Sequence, residues 1–116
     1  MTILDYQADG FFKPDRIARI LMTTRDEIAR TVGLGRDAIA RSERVRQPRT
    51  QRRLREMIEI VNLVTPRFGT AAMAYAWYRS EPLDGLGGMT AMDLVQEGHA
   101  DWVRDYIAAL DAGVFA

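Results

Sequence analysis

The chain has no cysteine and a single histidine among 116 residues. Without thiols there can be no disulfide, thiolate metal site or thiol nucleophile, and a lone His99 excludes a zinc site built on a histidine pair within one chain. No metal and no cofactor are expected. Long apolar runs are also missing: nothing approaches the roughly 18 consecutive apolar residues of a membrane span, so no membrane partner is expected. The N-terminal stretch carries Asp5 and Asp9 and lacks the cationic start of a secretion signal, so cytoplasm is the expected compartment. No nucleophile-base pair, phosphate-binding glycine loop or metal cluster can be assembled from the residue inventory, and an enzyme is not expected.

What is present is ordinary in amount and uneven in placement. Hydrophobic residues make up 47% of the chain, enough for one core in a soluble domain of this size. The formal net charge is zero. From Met1 to Arg55, however, Lys13 and twelve arginines face seven acids, leaving +6; from Glu56 onward three arginines face nine acids, leaving −6. Such segregation points to two different partners, the basic half suiting nucleic acid. A dipole that pairs dimers head to tail explains the same asymmetry.

Apolar spacing is helical nearly throughout, with no sustained period-two alternation and no strong hairpin turn signal, so the expected fold is all-α. Met1 to Phe12 has no pattern and is expected to form an arm or docking segment. Pro14 suits the first turn of a helix whose stripe is Ile17, Ile20 and Leu21. Thr24-Arg25-Asp26-Glu27 has the form of a capping box, which starts a second helix near Arg25. That helix buries Ile28, Ala29 and Val32 and ends at Gly33, where a positive φ costs little.

A third helix is expected from Arg36 to Val45, with Ala38, Ile39, Ser42 and Val45 inward and Arg36, Asp37, Ala40, Arg41 and Arg44 outward. Arg46-Gln47-Pro48 interrupts it. A longer helix follows with Leu54, Met57, Ile58, Val61 and Val64 on one face, closed by Pro66. Thr70 to Tyr78 forms an alanine-rich helix that Glu81-Pro82 stops. Thr90 caps a short helix that Gly98 terminates, and Trp102, Val103, Tyr106, Ile107 and Leu110 give a last stripe before Gly113. Trp77, Tyr78, Trp102 and Tyr106 read as a small aromatic core, and His99 as the start of the last helix.

The second and third helices, joined by a glycine turn, make a helix-turn-helix pattern, whose second helix lies in the DNA major groove. The candidate DNA-binding residues are Arg36, Asp37, Arg41, Arg44 and Arg46, part of a run with eight arginines between Arg36 and Arg55. Arg36, Arg41 and Arg44 suit the groove. Arg46, Arg49, Arg52 and Arg53 suit phosphate, or acids of a second subunit. One copy offers a small footprint, so a homo-oligomer, at least a dimer, is expected on operator DNA.

The last third of the chain carries the most specific pattern. An aromatic helix end at Trp77, the turn Leu83-Asp84-Gly85-Leu86-Gly87-Gly88-Met89-Thr90, the stretch Thr90-Ala91-Met92-Asp93-Leu94-Val95, Gly98 and a final amphipathic helix together resemble the C-terminal domain of the Xre/MbcA/ParS antitoxins. The resemblance extends upstream to about Arg16, because an Xre-like helix-turn-helix precedes that domain in the family. Two departures stand out. Thr50-Gln51-Arg52-Arg53-Leu54 lacks the acidic residue the family often carries at the start of the long helix, and Ala91 stands where many members have proline.

The resemblance implies a helix-turn-helix-containing N-terminal bundle (1–66) joined by a long helix to a small helical toxin-binding domain (67–116). It implies an antitoxin of a type II toxin-antitoxin system that sterically inhibits a RES-domain, NAD-consuming toxin and represses its own operon. On this basis the toxin-binding candidates are Leu86 and Gly88 in the glycine turn and Gly113, Val114, Phe115 and Ala116 at the C-terminus, Phe115 serving as an apolar anchor. The alternative is a stand-alone helix-turn-helix regulator whose C-terminal helices only dimerise.

Overall fold

The computed structural model describes residues 2–113. Among them, a 3-10 turn at Ile3–Tyr6 leads into a hairpin of β1 (Gln7–Ala8) and β2 (Phe11–Phe12). Seven helices follow: α1 (Pro14–Ile20), α2 (Arg25–Thr31), α3 (Ser42–Val45), α4 (Pro48–Phe68), α5 (Ala71–Ser80), α6 (Ala91–Gln96) and α7 (Ala100–Asp111). A second 3-10 turn, Arg36–Ile39, lies between α2 and α3. The fold is all-helical apart from the small hairpin.

The organising element is α4. Its Leu54, Met57, Ile58, Ile60, Val61 and Val64 are all fully buried, so apolar residues cover more than a single narrow stripe. It packs most extensively against α5 and also touches the hairpin, α6 and α7. One continuous core results, running from Tyr6 and Phe12 through α4 to Val103 and Ile107. The expected stop at Pro66 is displaced: the helix continues to Phe68, with Pro66 inside its last turn. A proline there removes a single helical bond. The turn is finished by Gly69, which takes φ 86° and donates its N–H to the Thr65 carbonyl at 2.9 Å. Phe68, carried past the proline, meets the Trp77 ring at 6.2 Å between centroids.

The N-terminal segment departs from the expected arm. Ala8-Asp9-Gly10-Phe11 forms a tight hairpin in which Asp9 and Gly10 both take positive φ, 54° and 79°. Asp-Gly is a favoured pair for such a turn, and strands of two residues are too short to show alternation. Tyr6 and Phe12 then enter the core. Gln51 of α4 fastens the hairpin by accepting from the Phe12 N–H (2.8 Å) and donating to the Phe12 carbonyl (3.0 Å).

Caps largely follow the sequence. The Thr24 hydroxyl accepts from the Glu27 N–H at 3.1 Å. The reciprocal half of that box is absent, because the Glu27 carboxylate turns to Arg30 and Arg79. At α6 both halves form: Thr90 and Asp93 bond each other's backbone N–H at 3.1 and 3.0 Å.

Candidate partner-binding surfaces

On the basic half, the expected helix from Arg36 to Val45 is broken. The 3-10 turn Arg36–Ile39 gives way at Arg41 to extended backbone (φ −132°, ψ 148°), and α3 is one turn long. Its apolar anchors explain the break. Ile39 and Val45 are six residues apart, outside the three- or four-residue spacing of one helical face, yet both pack on Ala29 in a small cluster apart from the main core. The Arg25 guanidinium takes the Ile39 carbonyl, an acceptor that a continuous helix would use itself. Ser42, expected inward, is exposed.

Arg36, Asp37, Arg41, Arg44 and Arg46 are all exposed. They therefore decorate a bent surface rather than one face of a continuous helix. Arg36 lies 3.6 Å from Asp26, Arg44 donates to the Asp37 carbonyl at 3.3 Å, and Arg46 sits 5.0 Å above the Phe11 ring. Arg49 and Arg52 are exposed on the first turns of α4. Arg53, expected among the phosphate contacts, points the other way and donates to the Val95 carbonyl at 2.8 Å.

Several polar contacts join the two halves. The Thr31 hydroxyl and the buried Tyr75 phenol are 2.7 Å apart, and burial raises the Tyr75 pKa despite that bond. Gln96 of α6 donates to the Arg30 and Thr31 carbonyls at 3.1 and 2.8 Å. Arg79 reaches Glu27 at 3.4 Å and lies 4.4 Å over the Tyr75 ring. The α5–α6 pair and α2 are thus held together by directional bonds as well as by packing.

The acidic half is built around the glycine turn. Leu83 is buried, its N–H donates to the Met89 carbonyl at 2.9 Å, and Pro82 bridges Thr90. Gly85, Gly87 and Gly88 take φ 78°, 68° and 80°, a backbone that side chains with a Cβ adopt at a cost. Across from this turn, α7 buries Ala100, Val103 and Ile107. That inward stripe corrects the expected aromatic core. Tyr78 is fully buried, Trp77 and Tyr106 are half-buried, and Trp102 is 46% exposed. Trp102 lies one helical step off the stripe, and its indole stacks on His99 at 3.8 Å. His99 itself stands at the N-cap of α7, as expected. The core aromatics missed in the sequence are Tyr6, Phe12 and Tyr75.

Between turn and helix lies an open, largely apolar cleft of about 420 Å³. Asp84, Gly85 and Leu86 line one side and Trp102, Asp105, Tyr106 and Ala109 the other. Leu86 is thereby brought into a surface with residues that sequence reading had assigned to the core. Gly88 is exposed in the same turn, and Gly113 follows the end of α7 with φ 79°. Val114, Phe115 and Ala116 lie outside the described residues. Among the described residues no helix is long and apolar enough to cross a membrane, and no group of three or more acids or histidines is placed to hold a metal ion.

Helices α5, α6 and α7 all pack against α4. Residues 64–113 match the family model of the antitoxin Xre/MbcA/ParS C-terminal toxin-binding domain. This stretch is therefore similar to the toxin-binding domain of a toxin-antitoxin system. No curated protein and no solved structure matches the chain.

Proposed function

We propose that the chain is the antitoxin of a type II system, that it binds and sterically inhibits a RES-type NAD-consuming toxin, and that it represses its own operon. The observation that carries this reading is the match of 64–113 to an antitoxin toxin-binding domain, a stretch that spans the glycine turn and its cleft. Residues 67–116 supply the toxin contacts, Leu86, Gly88 and Gly113 among them, and the terminal Val114, Phe115 and Ala116 reach the toxin's active-site entrance. The chain acts by occupancy, as a cytoplasmic binding protein rather than an enzyme.

Residues 1–66 supply the DNA contacts. Arg36, Arg41, Arg44 and Arg46 are exposed and cationic, which suits phosphate neutralisation, with Asp37 beside them. The bend at Arg41 favours backbone contacts over a helix laid along the major groove. A dimer, or a hetero-oligomer with toxin, presents two such surfaces to an operator.

The test is a titration of the purified chain into the toxin encoded beside it, with NAD consumption as the readout. Stoichiometric inhibition is expected, weakened by deletion of Val114 to Ala116. Absence of inhibition, with salt-dependent operator binding retained, would leave a stand-alone regulator instead. For the DNA surface, Arg36→Ala/Arg41→Ala lowers affinity and flattens the log-log salt slope by about two, roughly one for each phosphate no longer neutralised. Unchanged DNA affinity and slope in that variant remove this face from the DNA reading.

A further inference from the structure

We propose that the cleft between the glycine turn and α7 receives an apolar segment of the toxin that carries an arginine or lysine. This rests on the antitoxin reading above. Leu86, Trp102, Tyr106 and Ala109 give the cleft an apolar, aromatic lining, the last three at i, i+4 and i+7 along α7. Trp102 leaves 46% of its surface in water although inward positions on the same helix are filled by smaller residues. Large aromatics left exposed beside a concave apolar surface are the usual anchors of protein interfaces.

The charged residues lining this cleft are both acidic, Asp84 and Asp105. Neighbouring Arg104 does not neutralise them, since its guanidinium pairs with Glu59 of α4 at 3.1 Å. A cation arriving here meets the carboxylates together with indole and phenol faces, a combination of ion pairing and cation–π attraction. The walls are also fixed in advance. The turn is closed by its own backbone bonds and by buried Leu83, and the Trp102 ring is braced by His99. Less ordering is then needed when a partner binds.

The chemistry selects the occupant. The two carboxylates, Asp84 and Asp105, repel an acidic segment and favour a cationic one. A second copy's basic half has the right sign, but the cleft lies wholly within the stretch matched to a toxin-binding domain, which favours the toxin.

The experiment uses the full-length chain and the purified toxin encoded beside it, with calorimetric affinities at low and high salt. Wild-type chain binds. Trp102→Ala weakens binding by about thirtyfold, the loss of one buried anchor. Asp105→Arg weakens it by about tenfold or more and flattens its salt dependence. Glu43→Arg, the same charge change on the exposed surface of α3, leaves affinity within twofold. Circular dichroism checks that each variant keeps its helices. If wild-type chain binds and both cleft variants bind equally well, the cleft proposal is overturned while the antitoxin reading stands. If wild-type chain fails to bind, the antitoxin reading falls and takes the proposal with it. If Asp105→Arg abolishes self-association in sedimentation while toxin affinity is unchanged, the cleft is a contact between copies and the proposal is wrong.

Discussion

Residues 33–47 and 81–99 are connectors of similar length between longer helices, and they are held in place in different ways. The first buries Ile39 and Val45 in a small cluster with Ala29, apart from the main core. The second sends Leu83, Ala91, Leu94 and Val95 into the main core itself. Three of its left-handed glycines, Gly85, Gly87 and Gly88, therefore shape a turn that is anchored rather than loose. An exposed run of arginines leaves few positions for apolar anchors, so the basic connector gains little burial. In the acidic connector, charge is confined to the rim of a surface whose underside is anchored.

The largest test of that contrast is a pair of truncations. Leu94→Ala removes a fully buried side chain from the common core and lowers global stability by about 3 kcal/mol in urea denaturation. Ile39→Ala removes an equally buried side chain from the satellite cluster. Its effect is local: amide exchange across 36–45 accelerates while α4 stays protected, and the global midpoint moves far less. A global loss from Ile39→Ala as large as that from Leu94→Ala would mean that the two connectors are equally integrated.

The glycines sharpen the comparison at smaller scale. A Cβ on Gly33, which has φ 75°, would stand 3.1 Å from Cγ of Gln96. Gln96 cannot simply swing away, because it is bonded to the Arg30 and Thr31 carbonyls. Gly33→Ala thus combines left-handed strain with displacement of a cross-half contact and costs about 2 kcal/mol. Gly87→Ala, at φ 68° with open space around the position, costs only the backbone strain of about 1 kcal/mol. Thermal midpoints of the two variants decide the matter: equal losses would show that Gln96 yields without resistance.

These differences mark what was legible in the sequence. Capping threonines, terminating glycines and the α4 stripe are local signals, and Thr24, Thr90, Gly98 and Leu54 to Val64 stand where those signals put them. The toxin-binding pattern was equally readable, because its turn and helix starts follow one another in sequence. The break at Arg41 was not, since it depends on Arg25 capturing the Ile39 carbonyl from 14 residues upstream. Nor was the cleft. Periodicity placed Trp102 and Val103 on the same broad stripe, and only packing on α4 decided which of the two turns inward. The hairpin differs again: Asp9-Gly10 is a turn signal that the expected arm over Met1 to Phe12 passed over, since two-residue strands show no alternation beside it.

The smallest expected effects concern two tyrosines, one in each half. The hydroxyls of Tyr6 and Tyr78 are buried without a hydrogen-bond partner among the described residues, and burial raises both pKa values. Tyr6 rises to about 12, burial acting first and the charge of Asp5 second. The folded state thus holds its proton more tightly than the unfolded chain, whose tyrosines ionise near 10. The stability linked to this neutral form is complete below about pH 10 and is lost as pH rises from there toward 12. Tyr6→Phe and Tyr78→Phe remove the titrating group and an unsatisfied hydroxyl together. At pH 8 each changes stability by about 1 kcal/mol or less, in the stabilising direction, and at pH 10.5 to 11 each variant outlasts the wild type in urea. Tyr75→Phe runs opposite, losing about 1 kcal/mol at pH 8, because its hydroxyl is bonded to Thr31. A Tyr78→Phe loss matching that of Tyr75→Phe would mean that the Tyr78 hydroxyl has a bonding partner, so that the two buried phenols of α5 are held alike.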